Sequence, residues 1–66
     1  MNAIEKYRRK NGLSQSDLAN MLGVTQGTIS QWEIGATFPT SSKLPEIAKV
    51  LNCEISDLFK HESEVK

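Results

Sequence analysis

Sixty-six residues are enough for one small domain and too few for two. With 38% hydrophobic and 24% charged residues the composition is that of a soluble globular chain, and no apolar run approaches the roughly 20 residues that a membrane-spanning helix needs. Eight basic residues balance eight acidic ones, so a net charge of zero provides no general attraction to nucleic acid or any other acidic surface, and function must be carried by local pattern. The opening MNAIEKYRRK contains acid and lacks the apolar stretch and cleavage site of a signal peptide, which leads us to expect a cytoplasmic location. The single cysteine, Cys53, has no internal disulfide partner. With the single histidine, His61, it falls short of a zinc ligand set, so no metal is expected.

Apolar residues recur at spacings of three and four and nowhere alternate, which predicts an all-α chain. A first helix is expected to open on Asn2, with Glu5 at capping-box spacing, to present Ile4 and Tyr7 on one face, and to end at Asn11-Gly12. Ser14 and Asp17 repeat the capping spacing for a second helix, whose inner face is Leu18, Ala19 and Leu22 and which Gly23 stops. Thr25 is a good N-cap for a third helix running to Glu33 or Ile34 and closed by Gly35. Residues 36–42 read as a loop. Leu44, Ile47, Ala48 and Leu51 then form one helical stripe, with Pro45 tolerable in the first turn. A short fifth helix over Ile55 to Phe59 would add Leu58 and Phe59 to the core. The remainder, 61–66, is expected to be a flexible tail after a domain spanning 1–60.

Between Gln15 and Glu33 a helix with small Ala19 on its inner side meets Gly23 in a tight turn, and a second helix follows with Ile29 and Trp32 facing inward. The small residue permits close crossing, the glycine permits the positive φ of a short turn, and the apolar positions pin one helix to the other. That is a helix-turn-helix pattern. The segment LSQSDLANMLGVTQGTISQWEIGATFP, continuing through LPEIAKVLNCEISDLF, resembles the phage-repressor and Cro-type helix-turn-helix family of bacterial transcription regulators over nearly the whole chain. The resemblance implies a compact five-helix, lambda-repressor-like bundle, in which the helix after Ser14 crosses the DNA backbone and the helix after Thr25 enters the major groove.

A helical wheel with Ile29 innermost puts Trp32 and Glu33 on the inner side and Gly27, Thr28, Ser30, Gln31 and Ile34 at the side or outside, with Gln26 at the tip. This outer face lacks the lysines and glutamates that usually solubilise a helix, and its side chains both donate and accept, as base edges require. Gln26, Gly27, Thr28, Ser30 and Gln31 are therefore the candidate base-contacting positions, with Gly27 offering only backbone. Ile34 would touch a thymine methyl or, more simply, be an isolated exposed apolar residue. Candidate phosphate contacts are Gln15 with the first amides of the second helix on one side, and Thr37, Ser42 and Lys43 on the other.

Arg8, four residues from Ile4, and Glu33 both face inward, and the resemblance implies that they form an ion pair. A partly buried charge needs such a partner. Lys6, Arg9 and Lys10 face outward and read as a solvated face with a minor long-range role. Cys53 occupies a place where the family has a small apolar residue, so a buried inert thiol is expected. Trp32 is expected in the core rather than against a base.

No nucleophile-base pair, glycine-rich phosphate loop or carboxylate pair has usable spacing, so an enzyme, a cofactor and a small-molecule substrate are not expected. The reading is a DNA-binding regulator that recognises a two-fold operator in double-stranded DNA as a homodimer, paired through the fourth-to-fifth helix region with Phe59 and the tail. The alternative is a protein-interaction module of the same fold, such as an antitoxin or anti-repressor-like component, toward which the neutral charge and Gly27 lean.

Overall fold

The computed structural model describes residues 3–59, built from α1 (Ile4–Lys10), α2 (Gln15–Leu22), α3 (Gln26–Ile34), α4 (Leu44–Leu51) and a 3-10 helix, Ile55–Phe59. Among the described residues there is no strand, and no helix is long and apolar enough to cross a membrane. The cap expected of Asn2, the side chain of Phe59, and the tail with His61 lie outside the described residues.

Local sequence fixes most of the helix ends. Ser14 caps α2 in a reciprocal box: its Oγ accepts the Asp17 N–H at 2.9 Å, and Asp17 Oδ2 accepts the Ser14 N–H at 3.0 Å. The Thr25 side chain accepts the Thr28 N–H at 3.2 Å, which caps α3 in the same sense. Two details depart from expectation. Helix α1 starts after Ala3, which supplies no side-chain cap. Its backbone N–H instead donates to the Leu58 carbonyl at 2.9 Å, joining the first helix to the last turn of structure. The fifth element is a 3-10 helix rather than the expected α-helix. The Asp57 N–H donates to the Glu54 carbonyl at 2.9 Å while its side chain accepts the Glu54 N–H at 3.0 Å. An acidic side chain closing its own three-residue turn favours the tighter i to i+3 winding, and five residues are too few to recover the longer one.

The core is one cluster contributed by every element: Ile4 from α1, Leu18, Ala19 and Leu22 from α2, Ile29 and Trp32 from α3, Ile47, Ala48 and Leu51 from α4, and Leu58. Tyr7, Leu13, Leu44 and Cys53 pack around it, half-buried. Cys53 is thus at the rim of the core and not fully buried as expected, packed against the cluster from the turn between α4 and the 3-10 helix. Asn11 ties the ends of two helices together, donating from Nδ2 to the Tyr7 carbonyl at 2.7 Å and to the Leu51 carbonyl at 2.9 Å.

Candidate nucleic-acid interface

The helix pair α2 and α3 is set by a three-residue turn. Gly23 ends α2 in the left-handed conformation at φ 73° and its N–H donates to the Ala19 carbonyl, to which Val24 N–H also donates at 3.0 Å. A residue with a Cβ would be strained there, although nothing lies close enough to clash with it. Ile29, Trp32 and Glu33, all buried, hold α3 onto the rest of the molecule. The opposite face then points outward. Gln26, Gly27, Gln31 and Ile34 are exposed, and Thr28 and Ser30 are half-buried.

Each side chain on this surface has a definite neighbourhood. Thr28 Oγ1 lies 2.9 Å from Thr25 Oγ1, so its hydroxyl is already engaged with the cap. A Cβ built at Gly27 would meet only Thr25 Oγ1 at 3.9 Å, so space within the fold does not demand a glycine there. Ile34 is 69% exposed and Phe38, in the loop after α3, is 61% exposed. Thr37 donates its N–H to the Gln31 carbonyl at 3.4 Å, and Ser42 Oγ lies 3.2 Å from Thr40 Oγ1. Lys43 is drawn inward. Its Nζ donates to the Leu22 carbonyl, an open acceptor at the end of α2, at 3.1 Å, with Glu46 alongside at 3.6 Å.

Behind this surface lies a buried ion pair. Arg8 Nε donates to Glu33 Oε2 at 2.6 Å and its Nη2 to Glu33 Oε1 at 3.2 Å, while Nη1 donates to the Leu13 carbonyl at 2.9 Å. The side chains are 9% and 4% exposed. Hydrogen bonding to Glu33 raises the Arg8 pKa further above its already high ordinary value, against the opposing effect of burial. The network continues outward: Gln15 Nε2 donates to Glu33 Oε1 at 2.9 Å, and Gln26 Nε2 donates to Gln15 Oε1 at 2.6 Å. Among the described residues no buried side-chain N or O atom is left without a hydrogen-bond partner.

The sequence points to Gln15 and Gln26 separately and does not join them. Partners 11 and 18 residues apart leave no local signature. Nor does it place Lys43 on the α2 terminus, a contact across 21 residues. On α1, Lys6 and Lys10 sit 5.8 and 5.7 Å from the Tyr7 ring centroid, and Arg9 pairs with Glu5 at 2.9 Å. Elsewhere, burial raises the Cys53 thiol pKa, helped by the nearby charges of Asp57 and Glu54. The Ser14 backbone N–H and then its hydroxyl hold the Asp17 carboxyl below its ordinary value. Among the described residues no group of three or more His, Cys, Asp or Glu is arranged to hold a metal ion.

Comparison with known proteins gives this geometry a context. An HTH-type transcriptional regulator of Archaeoglobus fulgidus is 38% identical over 61 residues, covering 92% of this chain and 87% of its own length. The crystal structure of the P22 c2 repressor in complex with a synthetic operator superposes with a TM-score of 0.80 at 37% identity, over 86% of each chain. The N-terminal DNA-binding domain of SinR, the master biofilm regulator of Bacillus subtilis, matches with a TM-score of 0.72 at 30% identity, over 96% of this chain and 93% of that one. A family model described as helix-turn-helix matches residues 4–58, and the chain belongs to that family.

Proposed function

We propose that this protein is a sequence-specific DNA-binding transcription regulator that lays α3 in the major groove and binds a two-fold operator as a homodimer. The outer face of α3 carries the reading. It presents Gln26, Thr28, Ser30 and Gln31 without a single charge, and side chains that both donate and accept match the mixed donors and acceptors of base edges. Gly27 lets backbone approach the bases closely in the first turn. Gln15, with the α2 amides, and Thr37, Ser42 and Lys43 flank this face as phosphate contacts. Lys43 keeps an N–H for a phosphate beyond the one given to Leu22.

A single recognition helix covers only a few base pairs, and two-fold pairing sets two such helices about 34–36 Å apart, one turn of DNA. The shallow surface between α4 and the 3-10 helix, where Pro45, Ala48, Cys53 and Ile55 lie beside Lys49 and Glu54, supports pairing through that end of the molecule. The proposal includes a cytoplasmic site of action, with which the absence of a membrane-spanning helix among the described residues is consistent, and it requires no cofactor.

Gln31→Ala tests this proposal. Gln31 is solvent-facing, so stability should hardly change, while affinity for a selected duplex falls by about 1–3 kcal/mol and affinity for random duplex stays level. Equal operator affinity for variant and parent would sink the assignment of Gln31. Exposed Ile34 and Phe38 beside a chain of zero net charge favour the second reading, a protein-interaction module. A salt titration separates the two: DNA binding weakens linearly in log-log form as salt rises, and the alternative gains if no duplex binds in that manner.

A further inference from the structure

We propose that Lys43, at the start of α4, is a positioning residue that fixes the turn between α2 and α3 and, through it, the angle at which α3 meets DNA. The inference deepens the DNA reading above and rests on it for its functional consequence. A helix ends in carbonyls that lack partners, at the negative end of its dipole, where a cation is favoured. Helix α2 has no basic residue in its own last turn. Lys43 supplies one from 21 residues away, its Nζ donating to the Leu22 carbonyl at 3.1 Å. Leu22 is itself buried, 4% exposed, so bulk water does not simply replace that donor.

The end of α2 matters because the turn beyond it is short and open. Gly23, Val24 and Thr25 alone separate the two helices, and a Cβ built at Gly23 would meet nothing within 4 Å. Within the turn Gly23 and Val24 both donate to the Ala19 carbonyl, which ties its backbone to α2. Lys43 ties the same place to α4. It works from a fixed base: its own N–H donates to the Thr40 carbonyl at 3.0 Å, and its carbonyl accepts the Ile47 N–H at 2.9 Å. Glu46, 3.6 Å from the ammonium, holds it from the other side. Without Lys43 the Leu22–Gly23 peptide is free to turn toward solvent about a residue with no Cβ to resist, and α3 inherits the tilt. Base-edge contacts depend on that tilt far more than phosphate contacts do.

The test uses Lys43→Met, which keeps the apolar stem and removes the donor, Lys43→Arg, which restores a cation, and Glu46→Gln, which leaves the Leu22 bond in place. Without DNA, amide hydrogen exchange is followed at Val24, whose N–H donates to the Ala19 carbonyl inside the turn. Its protection should fall about fivefold in Lys43→Met, the scale of one cation at a helix C-terminus, and recover in Lys43→Arg. Val24 exchange that moves only in step with the core amide of Leu51 overturns the positioning role. With DNA, duplexes enriched from a random library define a selected sequence, and affinity for it is divided by affinity for random duplex at one salt concentration, where every variant is folded. This ratio should also fall about fivefold in Lys43→Met, return in Lys43→Arg and hold in Glu46→Gln. A lost phosphate contact weakens both duplexes alike and cancels. A ratio unmoved in Lys43→Met therefore overturns the positioning role, whatever the loss of total affinity. Should Lys43→Met not fold, Lys43→Gln decides by the same two readouts. A library that enriches no sequence overturns the DNA reading instead, and the dependence of the turn on Lys43 then stands or falls on Val24 exchange.

Discussion

Removing Arg8 should endanger the whole fold, and removing its partner as well should restore most of the loss. In Arg8→Met the Glu33 carboxylate, 4% exposed, loses both guanidinium bonds and keeps only the amide of Gln15. Breaking a fully buried pair from one side costs about 3–5 kcal/mol, and the surviving Gln15 donor puts this case near the lower end, about 3 kcal/mol. Glu33→Met strands a guanidinium that keeps the Leu13 carbonyl, for a similar loss of about 3 kcal/mol. In the double variant no charge is left buried. What remains is the Leu13 carbonyl and the inner amide of Gln15 without partners, together worth about 1–2 kcal/mol. A chain of 66 residues has about 3–10 kcal/mol of total stability, so either single variant approaches unfolding while the double stays folded. Urea titrations followed by the emission of Trp32, which is 5% exposed in the native state, measure all four corners of the cycle. Single-variant losses that simply add in the double, with coupling below about 0.5 kcal/mol, would refute the mutual dependence of the two charges.

Two further outcomes are expected. Asn52 closes α4 at φ 60°, the one non-glycine residue with positive φ among those described, so Asn52→Gly should relieve strain worth about 0.5 kcal/mol and raise Tm by about 2–4 °C in a thermal melt. The Asp17 carboxyl titrates below its ordinary value because Ser14 donates to it, so its cap contributes fully above the pKa of free aspartate and is lost as pH falls through the depressed value. Asp17→Asn should therefore flatten the decline of stability below about pH 4 in acid titrations, and an unchanged acid limb would discount the cap.

The features legible in the sequence are those whose cause is local. Thr25, Gly35 and the Ser14 box mark helix ends because a cap acts within three residues, and Ile29 with Trp32 marks the buried face because a helix has a fixed period. The Arg8 and Glu33 pair became visible once two inward charges were matched through a family resemblance. The start of α1 after Ala3 is not legible because the Ala3 amide is satisfied by Leu58, far away in the chain, and no local residue announces that. The final element is legible in its bounds but not in its winding, because a period of three and one of 3.6 are indistinguishable over five residues. At the candidate interface the polar character of α3 is readable. The linkage of Gln26 through Gln15 to Glu33 is not, since it exists only once α2 and α3 have docked.

The bond from Ala3 to Leu58 makes the two ends of the described chain neighbours. A molecule closed in this way resembles a ring with one seam, and where the seam lies is a matter of chain connectivity rather than of packing. Joining the ends through a short linker and reopening the chain in the exposed loop at residues 40–42 would preserve every contact of the helix pair α2 and α3 while reversing the order in which α4 and α1 are synthesised. The fold would then carry α3 as its last helix, with both free ends beside Lys43, the residue that anchors the loop to the end of α2.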